Sequence, residues 1–375
     1  MNKKFNEIVK NIFSETIDLS KIERENYFNS LPEDQKIYVD EVKSLIDSFE
    51  KTDDFLEVSS EHDQVFREDD NGPSPMIGKH IGPYLVEVEL GYGGMGIVFI
   101  GRRDDHEFEQ KVAIKILKQG LSTKYLVKRF ENERQILANL QHPNIAKLFD
   151  GGKTSDGLPY LIMEYIEGNP ITEYCDEENL TINERLKLFV TVCGAVQYAH
   201  QNLIIHRDIK PGNILVNKDG RPKLLDFGIA KLLDETIELE NIKLTQTKMW
   251  HLTPEYASPE QIKGENITTG SDIYSLGVLL YQIISGQQPY TFTNNSPLAI
   301  SKALEDTNII KPSELAKKTN DENKSIDSFK RKINSAEISK KIKSLKGDLD
   351  NIVLKAMHKD STQRYVSVQG LINDI

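Results

Sequence analysis

The stretch HRDIKPGN, from His206 to Asn213, is followed thirteen residues later by the tripeptide DFG at positions 226–228. Asp208 supplies a carboxylate that can accept the proton of an attacking hydroxyl group. Asn213 and Asp226 supply side-chain oxygens of the kind that bind magnesium, the hard cation that shields the phosphates of a nucleotide. This order of residue types predicts a phosphoryl-transfer site, with Asp208 as proton acceptor and Asn213 and Asp226 as metal ligands.

A glycine-rich segment, LGYGGMGIV, lies upstream and contains Leu90, Gly91, Gly93 and Gly96. Glycines let backbone N–H groups approach phosphate oxygens without a Cβ in the way. Taken alone, the pattern also fits a dinucleotide-binding turn or a plain hairpin. Here the apolar segments 97–100 and 111–117 follow as strands, where a dinucleotide-binding fold would begin a helix. We therefore predict that the glycine loop caps a β-hairpin.

Lys115 stands in the apolar, β-branched segment 111–117, where an unpaired ammonium group would be costly to bury. A lysine on the solvent side of a strand is the alternative interpretation. A buried Lys115 needs anionic partners, and the α- and β-phosphates of a nucleotide are one. The other is a carboxylate on the helix that we predict from about 124 to 140, where Glu131 and Glu133 are the candidates.

Six motifs in this order resemble a complete Hanks-type (eukaryotic-like) serine/threonine protein kinase domain over about residues 80–375. They are the glycine loop, Val112–Lys115 (VAIK), Glu133, the Asp208 loop, DFG and Ser258–Glu260 (SPE). The segments 252–261 and 348–356 resemble the bacterial members. The helix-to-strand spacing of the family selects Glu133 over Glu131 as the partner of Lys115.

The resemblance implies an α+β, bilobal fold with a β-rich small lobe that holds one key helix, and a large helical lobe. The kinase domain is expected at 79–375, with the small lobe at about 79–163, the hinge at 164–168 and the large lobe from about 169. A charged stretch at about 312–346 reads as an insertion, rich in lysine, serine and asparagine. We interpret it as a solvated face, although its basic tail could hold acidic substrates or the acidic amino terminus.

The resemblance also implies which residues bind ATP. Val98, Ala113 and Leu215 would form an apolar slot for adenine, with Met163 as the gatekeeper. The Glu164 carbonyl and the Ile166 amide would bond the purine edge through the backbone, so that side chains at these positions say little. A buried strand followed by a turn, without a binding role, is the alternative. The expected cofactors are ATP and Mg²⁺, with Mn²⁺ possible.

Two positions indicate which kind of hydroxyl group accepts the phosphate. Lys210 matches the lysine that contacts the transferred phosphate in serine/threonine kinases, and Thr253 matches the threonine that bonds the catalytic aspartate and lysine. The expected partner is therefore a protein substrate with a serine or threonine hydroxyl. A small-molecule phosphotransferase could share Asp208, Asn213 and Asp226, but it is not expected to carry the segments 253–256 and 258–260.

Regulation is suggested by Arg207, because kinases with this arginine commonly need a phosphate in the activation loop to offset its charge. Thr245 and Thr247 stand eight and six residues before Thr253, the spacing of the paired autophosphorylated threonines of bacterial receptor-type kinases. We predict that both are autophosphorylated. Two solvated loop threonines are the alternative, since Met249 occupies the position where many animal kinases carry the phosphothreonine.

Three further residues are expected to hold the large lobe together. Asp272 would anchor the backbone of the catalytic loop, and Arg364 would form a buried ion pair with Glu260. A hydrophobic column through Leu137, Leu148, His206 and Phe227 would link the lobes, which makes a structural role for His206 the better interpretation.

Charge separates the amino-terminal segment from the rest of the chain. The chain of 375 residues has a formal net charge of −11, and residues 1–70, with 9 basic and 19 acidic side chains, hold −10 of it. Helical spacing of apolar residues predicts an acidic helical module at 1–58, followed by a polar linker at 59–78. The module could bind a protein partner or mediate self-association, and a solubilising extension is the alternative. Such an acidic segment does not favour nucleic acid or anionic lipid.

No apolar run approaches the length that crosses a bilayer, and no secretion signal opens the chain. With only two cysteines, we expect a cytoplasmic protein with reduced thiols and no membrane segment. The alternative to an active enzyme is a nucleotide-binding pseudokinase or scaffold that acts through the amino-terminal module. Lys115, Glu133, Asp208, Asn213 and Asp226 are all present, which favours the enzyme.

Overall fold

The computed structural model divides the chain into two compact units, residues 1–77 and 78–375. It describes residues 74–93, 96–105, 109–117, 137–138, 140–227, 254–290, 300, 309–315 and 346–375, with ten further positions between 16 and 43. Because the first unit is described only at those positions and at 74–77, its predicted helical module remains a prediction. Most of the predicted insertion also lies outside the described residues.

The small lobe of the second unit is a six-stranded sheet in the order β1-β2-β3-β4-β6-β5, with all neighbours antiparallel. Its strands are β1 (His80–Ile81), β2 (Tyr84–Gly93), β3 (Gly96–Arg103), β4 (Lys111–Leu117), β5 (Leu148–Lys153) and β6 (Pro159–Glu164). Of the predicted helix at 124–140, the structure describes positions 137, 138 and 140, and the first two are helical.

Buried and half-buried residues alternate along β3 and β4, so the two faces of this sheet differ. Ile97, Phe99, Ile114 and Ile116 are buried in the core, with at most 1% of each side chain exposed. The residues between them point to the opposite face and are only half-buried. One face of the sheet is therefore buried in the core, and the opposite face is only partly covered.

The glycine-rich segment forms the β2–β3 hairpin, with Gly93 opposite Gly96, so the predicted hairpin is confirmed. Gly96 has a φ of 146°, and a Cβ built on it would lie 2.0 Å from the carbonyl oxygen of Ile116. Only glycine fits at this position.

The large lobe combines a small sheet, in the order β7-β8-β9, with helices. In the described residues, its strands are β7 (Gly168–Pro170), β8 (Ile214–Asn217) and β9 (Pro222–Leu224), and its α-helices with both ends described are α1 (Ile171–Glu177), α2 (Ile182–Gln201), α3 (Pro259–Lys263), α4 (Thr269–Ser285), α5 (Asp348–Ala356) and α6 (Val368–Asp374). Helix α2 begins with a capping box between Thr181 and Glu184. These two lobes form the α+β arrangement that the sequence predicts.

Helix α4 is the centre of the large lobe, because thirteen of its seventeen residues are buried. Thr268 caps its first turn, and Gly286 ends it in the left-handed conformation with a φ of 82°. Cys175 and Cys193 are both buried and form no disulfide. The loop between α2 and β8 contacts the amino-terminal end of α4 through Asp272.

Candidate active site

Asp208 is the centre of the site, in the loop between α2 and β8, with 9% of its surface exposed. The side-chain amide of Asn213 donates to the Oδ2 of Asp208 at 2.9 Å and to its carbonyl oxygen at 2.8 Å. The ammonium group of Lys210 lies 3.2 Å from the same Oδ2. Asp208 is thus held as an oriented carboxylate, with a positive charge beside it.

The backbone of this loop is fixed by Asp272 of α4, as predicted. The buried carboxylate of Asp272 accepts hydrogen bonds from the N–H groups of His206 and Arg207, both at 2.8 Å, and contacts the Nε2 of His200 at 2.7 Å. Arg207 has a φ of 67°, a left-handed conformation that is uncommon outside glycine. Its carbonyl oxygen accepts a hydrogen bond from the side chain of Gln261 at 2.8 Å, so the backbone N–H and the carbonyl group of Arg207 are both fixed.

His206 is fully buried, and its neighbours define its tautomer. Its Nε2 donates to the carbonyl oxygen of Leu225 at 2.9 Å, and its Nδ1 accepts from the N–H of Asp208 at 3.3 Å. Burial lowers the pKa of His206 despite the nearby carboxylates of Asp272 and Asp208. The ring packs on Phe227, with centroids 4.6 Å apart, which agrees with the structural role predicted for His206.

Lys115 of β4 forms an ion pair with Asp226, with 2.9 Å between Nζ and Oδ2. The expected partner, Glu133, lies outside the described residues. The side chain of Lys115 is 12% exposed and that of Asp226 is 27% exposed, so both partners are largely shielded from solvent. The partner that the structure describes for Lys115 is therefore a predicted metal ligand.

The two predicted metal ligands lie on neighbouring segments. The N–H of Leu225, next to Asp226, donates to the carbonyl oxygen of Asn213 at 2.8 Å. Since the amide nitrogen of Asn213 is bonded to Asp208, its Oδ1 is the atom that can bind a cation. One carboxylate and one amide oxygen suit magnesium, which takes its other ligands from phosphates and water. Among the described residues, no cluster of three or more His, Cys, Asp or Glu side chains offers another metal site.

Three residues that are predicted to contact adenine, Val98, Ala113 and Met163, lie on the half-buried face of the sheet. In the antiparallel register, Val98 is opposite Lys115, and Ala113 is opposite Met163. Because directly opposite residues share a face and alternate residues of one strand do too, these four side chains point the same way. Leu215 is half-buried on β8 of the large lobe. Leu90 is half exposed, beside Gly91 near the end of β2.

Several predicted residues lie outside the described part of the chain: Glu133, Thr245, Thr247 and Thr253. The loop that carries the three threonines is described only up to residue 227 and again from residue 254. Farther on, Ser258 caps α3, and Glu260 of that helix pairs with Arg364, as predicted. Nη1 and Nη2 of Arg364 lie 2.7 and 2.8 Å from the two carboxylate oxygens.

One side chain of the site was given no role by sequence reasoning. The carboxylate of Glu164, at the end of β6, accepts from the ammonium group of Lys223 at 2.9 Å on each oxygen. The two residues are 59 positions apart, and neither belongs to a local motif. No sequence signal could have found this contact, because only the fold brings the two segments together.

Comparisons with known proteins agree with this geometry. The sequence profile of the family described as "Protein kinase domain" matches residues 84–373. The chain is 34% identical over 303 residues to the serine/threonine-protein kinase PrkC of Bacillus subtilis (strain 168), covering 80% of this chain and 41% of that protein. It is 32% identical over 293 residues to PknB of Mycobacterium tuberculosis (strain ATCC 25618 / H37Rv), covering 76% and 41%. The chain thus spans about two fifths of the length of these relatives.

Among solved structures, the kinase domain of Mycobacterium tuberculosis PknI superimposes with a TM-score of 0.54. The match has 23% sequence identity and covers 79% of this chain and 96% of that one, so it supports the fold alone. In the described part of the chain, no helix combines the length and the apolar character needed to span a membrane.

Proposed function

This chain belongs to the protein kinase family and, within it, to the bacterial Hanks-type serine/threonine kinases, and we propose that it transfers the γ-phosphate of ATP to serine or threonine hydroxyls of proteins. The observation that carries this proposal is the setting of Asp208, whose Oδ2 lies between the amide of Asn213 and the ammonium group of Lys210. The ion pair between Lys115 of the small lobe and Asp226 of the large lobe belongs to the same site.

In the proposed reaction, Asp208 accepts the proton of the acceptor hydroxyl as its oxygen attacks the γ-phosphorus. The bond from the γ-phosphorus to the bridging oxygen breaks, and ADP leaves. Lys210 balances the charge of Asp208 and of the transferred phosphoryl group. Lys115, with Glu133 as its proposed second partner, binds the α- and β-phosphates.

The purine end of ATP would contact Val98, Ala113, Met163 and Leu215, and its edge would bond the backbone of Glu164 and Ile166. Magnesium bound by Asn213 and Asp226 would neutralise charge on the phosphate oxygens. The glycines of the β2–β3 hairpin support this assignment, since they leave backbone N–H groups accessible to the phosphates.

We also propose that the protein phosphorylates its own activation loop at Thr245 and Thr247. The new phosphates would offset the charge of Arg207, and Thr253 would bond Asp208 and Lys210. The support is the spacing of these threonines in the sequence, together with the place of Arg207 directly before Asp208.

The test is incubation of the purified protein with magnesium and γ-labelled ATP, with and without a basic acceptor protein, followed by phosphosite mapping. Asp208→Asn should lower turnover about 10²- to 10⁴-fold while nucleotide binding persists, because it removes the proton acceptor and keeps the shape of the side chain. Asp219→Asn, at an exposed turn between β8 and β9, is the matched control and should keep full turnover.

Label on Thr245 or Thr247 that disappears in the Asp208→Asn variant is the expected result. A wild-type protein that binds nucleotide but transfers no phosphate would overturn the proposal and favour a scaffold. Transfer to the acceptor without label on either threonine would overturn only the assignment of the phosphosites.

A further inference from the structure

The carboxylate of Glu164 makes three contacts at the point where β6 leaves the small-lobe sheet. Both of its oxygens accept from Lys223 at 2.9 Å, and Oε2 also accepts from the backbone N–H of Lys147 at 3.1 Å. The backbone N–H of Glu164 donates to the carbonyl oxygen of Lys147 at 2.8 Å. The last residue of β6 is therefore fixed through its backbone and its side chain.

Lys223 connects this point to the large lobe. It is the middle residue of β9, the strand that leads to Asp226. The segment before Lys147 is joined to the same strand, because the side chain of Asn144 donates to the carbonyl oxygen of Pro222 at 2.8 Å. The Glu164–Lys223 pair thus links the end of a small-lobe strand to β9, which ends two residues before the proposed metal ligand Asp226.

We propose that Glu164 and Lys223 are a positioning pair for the nucleotide. The pair fixes the backbone of residues 164–166 relative to Asp226. The separation between the part of the site that binds the purine and the part that binds the phosphates therefore stays constant. Neither side chain needs to touch the nucleotide. This inference rests on the proposed function, because it takes the Glu164 carbonyl and the Ile166 amide as the groups that bond the purine.

Burial explains why this pair can hold the segment. The side chain of Lys223 is 16% exposed and that of Glu164 is 27% exposed, so water screens their attraction only partly. Removal of one partner leaves the other as a partly buried, uncompensated charge. The local backbone would then shift so that water can solvate this charge.

The chain supplies a matched control three residues farther along. Glu167 pairs with Lys218 at 3.2 Å, and this pair also connects the segment after β6 to the large lobe. Its side chains are 68% and 80% exposed, and such surface pairs contribute little. The same ion-pair chemistry is therefore present with and without burial.

The experiment compares Lys223→Met, Lys223→Arg, Glu164→Gln and Lys218→Met with the wild-type full chain. Calorimetric titration with ADP in the presence of magnesium measures nucleotide binding, and steady-state kinetics measure KM for ATP and kcat. Lys223→Met and Glu164→Gln should each weaken ADP binding by at least about fivefold and raise KM for ATP to match. At saturating ATP, kcat should change by less than about twofold.

Two comparisons separate positioning from general destabilisation. Lys223→Arg keeps the charge and can donate to both carboxylate oxygens of Glu164, so its ADP affinity should stay within about twofold of wild type. Lys218→Met should leave ADP affinity and both kinetic constants unchanged. ADP affinity that is unchanged in Lys223→Met, or lowered equally in Lys218→Met, would overturn the proposal. A change confined to kcat would overturn it as well, since the pair would then act on the transfer step.

The failure of this proposal can be told apart from failure of the proposed function. A wild-type protein that binds ADP but transfers no phosphate would contradict the function, and the ADP titrations would still test the pair. If the wild type transfers phosphate and Lys223→Met binds ADP normally, only the positioning pair is wrong.

Discussion

At the scale of single residues, the fully buried His206 makes the stability of the fold depend on pH. The folded-state pKa of His206 lies below 6.5, its ordinary value, because burial disfavours the charged ring. The unfolded chain therefore binds more protons than the folded one as the pH falls through 6.5. Stability that neutral His206 contributes is complete above that pH and is lost below it, down to the folded-state pKa.

We expect His206→Phe to flatten the pH dependence of stability on the acid side of neutrality. One titrating group changes the free energy of unfolding by at most about 1.4 kcal/mol per pH unit, so the slope should fall by up to this amount. The variant also loses the bond to the Leu225 carbonyl, so its absolute stability should be lower at every pH. Urea denaturation at several pH values gives the slopes, and parallel profiles for the two proteins would contradict the assignment.

At the scale of elements, the ion pair between Glu260 of α3 and Arg364 joins two parts of the large lobe that are 104 positions apart in sequence. All five N–H groups of Arg364 have acceptors, because it also bonds the carbonyl oxygens of Gly270, His358 and Lys359. Burial alone would raise the pKa of Glu260, but hydrogen bonds from Arg364 and Ser271 outweigh it and lower that pKa. The carboxylate therefore stays charged in the fold.

Arg364→Met should lower the free energy of unfolding by about 3–5 kcal/mol, because Glu260 would remain as a buried charge without its partner. Arg364→Met combined with Glu260→Gln should recover part of this loss, since no charge is then stranded. Glu87→Gln breaks a surface pair with Arg102 and should cost less than about 1 kcal/mol. Denaturant titration measures all three, and a double variant no more stable than Arg364→Met would refute the stranded-charge explanation.

Whether a feature of these elements could be predicted from the sequence depends on how far apart in the chain the interacting residues lie. The alternation of β3 and β4 and the residues of the catalytic loop are local, so they could be assigned before the fold was known. Asp272 and Arg364 could be placed only through the family resemblance. The bonds from Lys223 to Glu164 and from Gln261 to the Arg207 carbonyl are tertiary contacts, 59 and 54 positions apart, and no local pattern encodes them.

At the scale of the whole molecule, charge and chemistry are divided between different parts of the chain. Residues 1–70 carry −10 of the formal net charge of −11, so the rest of the chain is close to neutral. Every contact described for the site comes from residues within the second compact unit, residues 78–375. The family match, residues 84–373, also lies entirely within that unit.

These facts predict that residues 78–375 fold and transfer phosphate without the first unit. A unit with its own core can fold alone, so Tm should stay within a few degrees of the full chain and kcat within about twofold. Thermal unfolding and the labelled-ATP assay on both proteins test this, with Asp208→Asn in the shorter chain as the background control. A large loss of kcat at unchanged Tm would show that the acidic segment takes part in catalysis or its regulation. A large fall in Tm would show that the kinase unit needs residues 1–77 for its stability, and either result would contradict an independent second unit.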